Sequence, residues 1–144
     1  MNMRNEYKNG FIIFLLLGLF FLTMDLAGLA NVFYLKIFNF VFVLFGVNLT
    51  LKHLSKEKAN YLKMFSSGMV TALIGIVLSL IGLFVYMKIT DADMTDYSTT
   101  IIPSENLSHY FLALFAEGIS SAIVVVFTLM QYWKTKNVSQ VNAD

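Results

Sequence analysis

Three ionisable residues interrupt otherwise apolar stretches of this sequence: Asp25, Lys36 and Glu117. A charge at the centre of a membrane span costs about 2.5–3.5 kcal/mol on insertion scales, and less near the interface. Residues carrying such a cost pair with one another or form an ion, proton or polar-substrate site. Asp25 and Lys36 flank a short turn, so they can pair across a hairpin and leave Glu117 as a second partner. The structural alternative has Lys36 snorkelling to the headgroups while Asp25 caps the hairpin. Asn39 follows Lys36 at helical spacing, so Asp25, Lys36, Asn39 and Glu117 make up the candidate intramembrane polar cluster.

Other chemistries lack their residues. With no cysteine, thiol chemistry, Cys-ligated zinc and Fe–S clusters fall away. His53 and His109 have no second histidine at ligand spacing. Asp91, Asp93 and Asp96 begin like a calcium loop, but Asp96 and Ile102 stand where that loop needs glycine and glutamate. A solvated acidic loop is the reading. Neither a Gly-x-Ser-x-Gly nor a His-Glu-x-x-His pattern accompanies the carboxylates. No catalytic, cofactor-binding or metal-ligating residue is assigned, and enzymatic activity is not expected.

The elements that must position the cluster are four apolar segments, at about 11–30, 32–51, 65–87 and 110–132. Each approaches the ~20 residues that cross ~30 Å of hydrocarbon as a helix. With 58% hydrophobic and 13% charged residues and a mean hydropathy of +0.71, the chain reads as one integral membrane domain over 1–144. The expected fold is an all-α, antiparallel bundle of four transmembrane helices. Four crossings put Arg4, Lys8, Lys52, Lys56, Lys58, Lys63, Lys134 and Lys136 on one side, leaving Lys36 and Lys88 near the other. Basic loops stay in the cytoplasm, so both termini are expected there, in a cell inner membrane. Asp91, Asp93, Asp96 and Glu105 fall in the opposite loop, 88–109. The lysines between Leu51 and Lys63 can reach anionic lipid, although a topology signal accounts for them. A net charge of +1 gives no footprint for nucleic acid.

Arg4 and Lys8 before an apolar run resemble a secretory signal ending at Gly28-Leu29-Ala30. The run is longer than a usual signal core and Asp25 interrupts it, so an uncleaved first helix is expected. Of the Asn-x-Ser/Thr sequons at Asn48, Asn106 and Asn137, Asn106 alone would lie outside.

Helical faces give a packing pattern. Phe14, Gly18, Phe21, Asp25 and Gly28 share one stripe, and Lys36, Asn39, Val43, Gly46 and Thr50 another. On the fourth segment Ala113, Glu117, Ser120, Val124 and Thr128 align. Small and polar residues mark surfaces turned toward other helices, so all three stripes are expected inside. In the third segment Gly68, Ala72, Gly75, Ser79 and Gly82 alternate spacings of four and three, a helix-packing seam favouring a left-handed crossing. Tyr34, Tyr86, Tyr132 and Trp133 read as interfacial anchors.

The stretch from Asn60 to Met94 resembles the DUF4199 family of small Bacteroidetes membrane proteins, through Tyr61, Phe65, Gly68, Thr71, Ala72, Tyr86, Ile89 and Asp91. The ending SSAIVVVFTLMQYWKTKN is similar to that family's small, apolar, then lysine-rich close. Ala92 stands where the family has proline. The resemblance implies a four-helix inner-membrane protein and carries no activity with it. Two functions fit these residues. One is a scaffold, assembly or modulatory subunit of a membrane complex, in contact with the bilayer and a membrane-protein partner or further copies of itself. The other is a small oligomeric transporter or channel that uses its embedded carboxylates for proton or cation coupling.

Overall fold

The structure is a computed structural model that describes residues 3–29, 37–91 and 106–141, with side chains through Lys136. Its helices are α1 (Arg4–Leu26), α2 (Ile37–Lys56), α3 (Tyr61–Thr90) and α4 (Leu107–Val141). All four are long and apolar enough to cross a membrane. Lys36, Tyr34, Asp93 and Asp96 lie outside the described residues.

Each helix runs beyond or short of its apolar segment for a local reason. Turns of α1 continue upstream of Phe11 to Arg4, because backbone hydrogen bonding does not require apolar side chains. That helix closes at Leu26: Gly28, at φ +68°, donates to the Asp25 carbonyl and Leu29 to the Met24 carbonyl. This crossed pair with a left-handed residue is the Schellman arrangement, which glycine adopts without a Cβ clash. The same pair closes α2, where Lys58 (φ 52°) and Ala59 donate to the Ser55 and Leu54 carbonyls. Asn60 then opens α3, its side-chain oxygen accepting from the Lys63 amide at 2.9 Å. Asn106 caps α4 in the same way, through the His109 amide.

Contacts between helices fix the topology. Asn9 of α1, Thr50 at the end of α2 and Thr71 in the first half of α3 are hydrogen-bonded together. Trp133 near the end of α4 bonds Asn48 of α2. At the opposite end Asp25 of α1 meets Tyr86 of α3, and Phe84 of α3 stacks on Phe111 of α4. Successive helices therefore run antiparallel. Arg4, Lys8, Lys52, Lys56, Lys58, Lys63, Lys134 and Lys136 sit at or near the end that holds the starts of α1 and α3, here the basic end. α1 packs on α2 and α3, and α4 on the same two, so α1 and α4 lie diagonally opposite.

The tightest contact joins α1 to its neighbours. Ile13, fully buried, occupies the space in front of two glycines, Gly46 of α2 and Gly75 of α3. Reciprocally, Ile74 of α3 fills the space in front of Gly10, where an added Cβ would lie 2.7 Å from Ile74 Cγ2 and 3.0 Å from the Thr71 carbonyl. Such approach needs a bare Cα, and close backbone contact is the main attraction available where lipid is as apolar as leucine. The core continues through Val47, Leu51, Ala72, Ile76, Ala122 and Val125. A smaller cluster, Met87 and Tyr110, closes the opposite end with Phe21 packed against it. Outside, Leu19, Ile81 and Leu112 are exposed, as lipid-facing side chains are.

Candidate functional site

Polar groups gather at two levels of the bundle. At the opposite end Asp25 is half-buried, and its Oδ2 accepts from the Tyr86 hydroxyl at 2.5 Å. The Tyr86 ring in turn meets Phe21 edge-on, with centroids 5.5 Å apart. Tyr86 thus ties α3 to α1 and is not a free headgroup anchor. Glu117 is also half-buried, two turns along α4 from the buried Tyr110 and within electrostatic reach of its hydroxyl. Asn39 lies on the exposed side of α2. Asp25 is thereby placed on α1 with α3, and Glu117 on the diagonally opposed α4. The expected Asp25–Lys36 pair falls partly outside the described residues.

The stripes expected to face inward divide. Val43, Gly46 and Thr50 of α2 are buried, as are Gly68, Ala72 and Gly75 of α3. Ser79 and Gly82 are half-buried: Gly82 faces the Phe14 ring and Ser79 bonds the Gly75 carbonyl. On α4, however, Ser120, Val124 and Thr128 are exposed, and Ala122, Val125, Val126 and Leu129 take the interior. The physical reason lies in the hydroxyls. Ser120 donates to the Ala116 carbonyl and Thr128 to the Val124 carbonyl, both at 2.8 Å. A hydroxyl satisfied by its own helix can face lipid, so it does not mark an interface. Trp133 differs from its expected role too. It is buried and donates its indole N–H to Asn48 Oδ1 at 2.9 Å, joining α4 to α2.

The basic end holds polar residues that composition alone passed over. Glu6 is only 3% exposed, and Asn9, Thr50, Ser67 and Thr71 are buried beside α1, α2 and α3. A directed chain runs through them. The Thr71 hydroxyl donates to the Ser67 carbonyl at 2.9 Å, so its proton is committed. In the 3.0 Å contact with Thr71, Thr50 must therefore be the donor. Thr50 then has no proton left for Asn9, whose Nδ2 accordingly donates to Thr50 Oγ1 at 2.9 Å. Glu6 Oε2 and Ser67 Oγ are buried with no partner among the described residues. Nearby, Glu57 pairs with His53 at 3.1 Å and with Lys63 at 3.8 Å, both near the surface. The signal for Glu6 and Asn9 was present in spacing. Glu6, Asn9 and Ile13 follow at three and four residues, extending the buried face of α1 upstream of its apolar run.

Fold and site together define a multi-pass membrane protein, a four-helix bundle with polar ties at both ends. No family model, curated protein or solved structure matches the chain.

Proposed function

We propose that the chain is a non-catalytic subunit of the inner membrane, with both termini in the cytoplasm, that scaffolds or modulates a larger membrane complex. The observation carrying this reading is the sealed apolar middle of the bundle. Ile13, Val47 and Ile76 are buried between the two levels, Ile13 filling the space before Gly46 and Gly75 one turn beyond Thr50 and Thr71, and Ile76 facing Gly118 beside Glu117. A single copy thus offers a packed core where a conduit would run. The sorting of basic residues to one end supports the orientation. The four long apolar helices support the membrane class.

A second reading, an oligomeric transporter, is favoured by one surface feature. Ala116 and Ser120 are exposed one turn apart on α4, beside Glu117. Paired small residues let helices of two copies approach, which would place Glu117 at a subunit seam. Mild extraction from the native membrane, followed by native mass and composition, separates the two. A different protein in fixed stoichiometry supports the accessory subunit. A homo-oligomer alone, with proton- or cation-coupled flux abolished by Glu117→Gln, replaces it with the transporter.

A further inference from the structure

The basic end contains a cavity of about 80 Å³ lined by Asn5, Glu6, Thr50, His53, Glu57 and Lys63. One water centre needs only ~10–15 Å³, so the space admits a small ion with part of its hydration shell. We propose that this cavity is a binding site for a monovalent metal cation of the sodium or potassium class, reached from the aqueous phase at the basic end.

Three observations lead there. First, Glu6 lines the cavity, is 3% exposed, and leaves Oε2 without a partner among the described residues. A buried carboxylate oxygen without a donor is costly, and a cation compensates it. Second, the hydrogen-bond chain presents acceptors to the space. Thr50 accepts from Asn9 and donates to Thr71, so its hydroxyl oxygen keeps one lone pair free. The Glu6 carboxylate, the Thr50 hydroxyl and the Asn5 side chain, whose amide carries an oxygen, all line the space and supply hard oxygen donors suited to a hard cation.

Third, the charge count selects the valence. Glu6 and Glu57 bring two carboxylates to the walls and Lys63 one ammonium, an excess of one acidic group. One monovalent ion balances it. Among the described residues no three acidic or histidine side chains are arranged to hold a metal ion by themselves, so hydroxyl and amide oxygens would have to complete the shell. Lys52 and Lys56 are exposed and do not line the space. Glu57 and Lys63 are about half exposed, so their side of the cavity opens toward water.

The test is thermal unfolding of the full chain in an uncharged maltoside detergent, which brings no amine headgroup. Sodium or potassium chloride replaces N-methylglucamine chloride at constant ionic strength. The expected result is a saturable rise in Tm, because a ligand bound only by the folded state stabilises it. Glu6→Gln abolishes the rise and retains the helical content. Glu57→Gln raises the half-saturating concentration about tenfold, as loss of one nearby charge should. Lys63→Met lowers it. Should Glu6→Gln not fold, the opposite signs at exposed Glu57 and Lys63 still decide the matter. A flat wild-type response overturns the proposal, whether water or the Lys63 ammonium fills the space. An ion response that Glu6→Gln, Glu57→Gln and Lys63→Met leave unchanged overturns it equally.

Discussion

The two ends of the bundle hold polar groups by different means. At the opposite end the carboxylate of Asp25 is half-buried and tied to the Tyr86 hydroxyl on α3. At the basic end a buried chain passes from Asn9 through Thr50 and Thr71 to the Ser67 carbonyl, beside the carboxylate of Glu6. The difference follows from helix separation. Gly10, Gly46 and Gly75 draw α1, α2 and α3 together around Ile13, so side chains within a turn of that contact are excluded from solvent and must satisfy one another. Farther along α1 a Cβ added at Gly18 or Gly28 would meet nothing within 4 Å, and aromatic rings span the wider gap instead, Phe20 meeting Phe38 and Phe42 of α2 and Phe21 meeting Tyr86 of α3. Polar side chains there keep more exposure and fewer obligations. Close packing, more than the presence of a charge, decides which polar residues become structural.

Substitutions at the contact point should break this comparison most severely. Gly75→Leu drives a side chain into Ile13 and toward the Gly10 carbonyl, which a Cβ alone would approach to 3.2 Å. Overpacking of this kind costs about 3 kcal/mol, with backbone on one side unable to yield. Separating α1 from α3 also opens the polar chain, so reversible unfolding in micelles should show loss of stability together with faster exchange of the Asn9 side-chain amide. Ile13→Ala acts in the opposite direction and leaves a void, at a cost of about 2–5 kcal/mol. Combining Ile13→Ala with Gly75→Ala should restore part of the loss, because the added methyl fills space that the isoleucine vacated. A purely additive double mutant would show that these residues do not share one packing site.

The sequence made four membrane helices legible because apolar runs of bilayer length are strong signals. Residues Val43, Gly46 and Thr50 were legible as an inward face, and Gly68, Ala72 and Gly75 as small residues at a close approach. Two kinds of information were not. Apolar runs do not report where helices begin, so Glu6 and Asn9 stood outside the first span although α1 starts at Arg4. Nor does a hydroxyl report its direction: Thr71 and Thr128 both back-bond to the carbonyl four residues earlier, yet one is buried and the other exposed. Only Thr71 meets a second polar side chain, and that meeting depends on α2. Trp133 was hidden for a related reason, since its partner Asn48 is 85 positions away.

An intermediate effect separates the two ends directly. Thr50→Val preserves shape but strands the buried Asn9 donor, which should cost about 1–3 kcal/mol. Tyr86→Phe at the opposite end removes one bond to a half-buried carboxylate that solvent or a neighbouring group can serve. Melting of the two variants in the same detergent should show the larger loss for Thr50→Val. The reverse order would make the Asp25 tie the stronger constraint and overturn the contrast between the ends.

The smallest expected effect is a gain, at the turn between α2 and α3. Lys58 holds φ at 52° with its side chain exposed, closing α2 where α1 uses Gly28 at +68°. A non-glycine residue in the left-handed region costs about 1–2 kcal/mol. Lys58→Gly removes that strain but also frees the unfolded chain, which offsets about 0.5–1 kcal/mol. The balance is a stabilisation of about 0.5–1 kcal/mol, read as a small rise in Tm. Because Glu57 immediately precedes Lys58 and helps to line the cavity, the same variant sharpens the account of the basic end. If the turn is only a connector, Lys58→Gly leaves the cation response of Tm unchanged. A shifted response would mean that the backbone setting of Lys58 positions Glu57 at the cavity mouth.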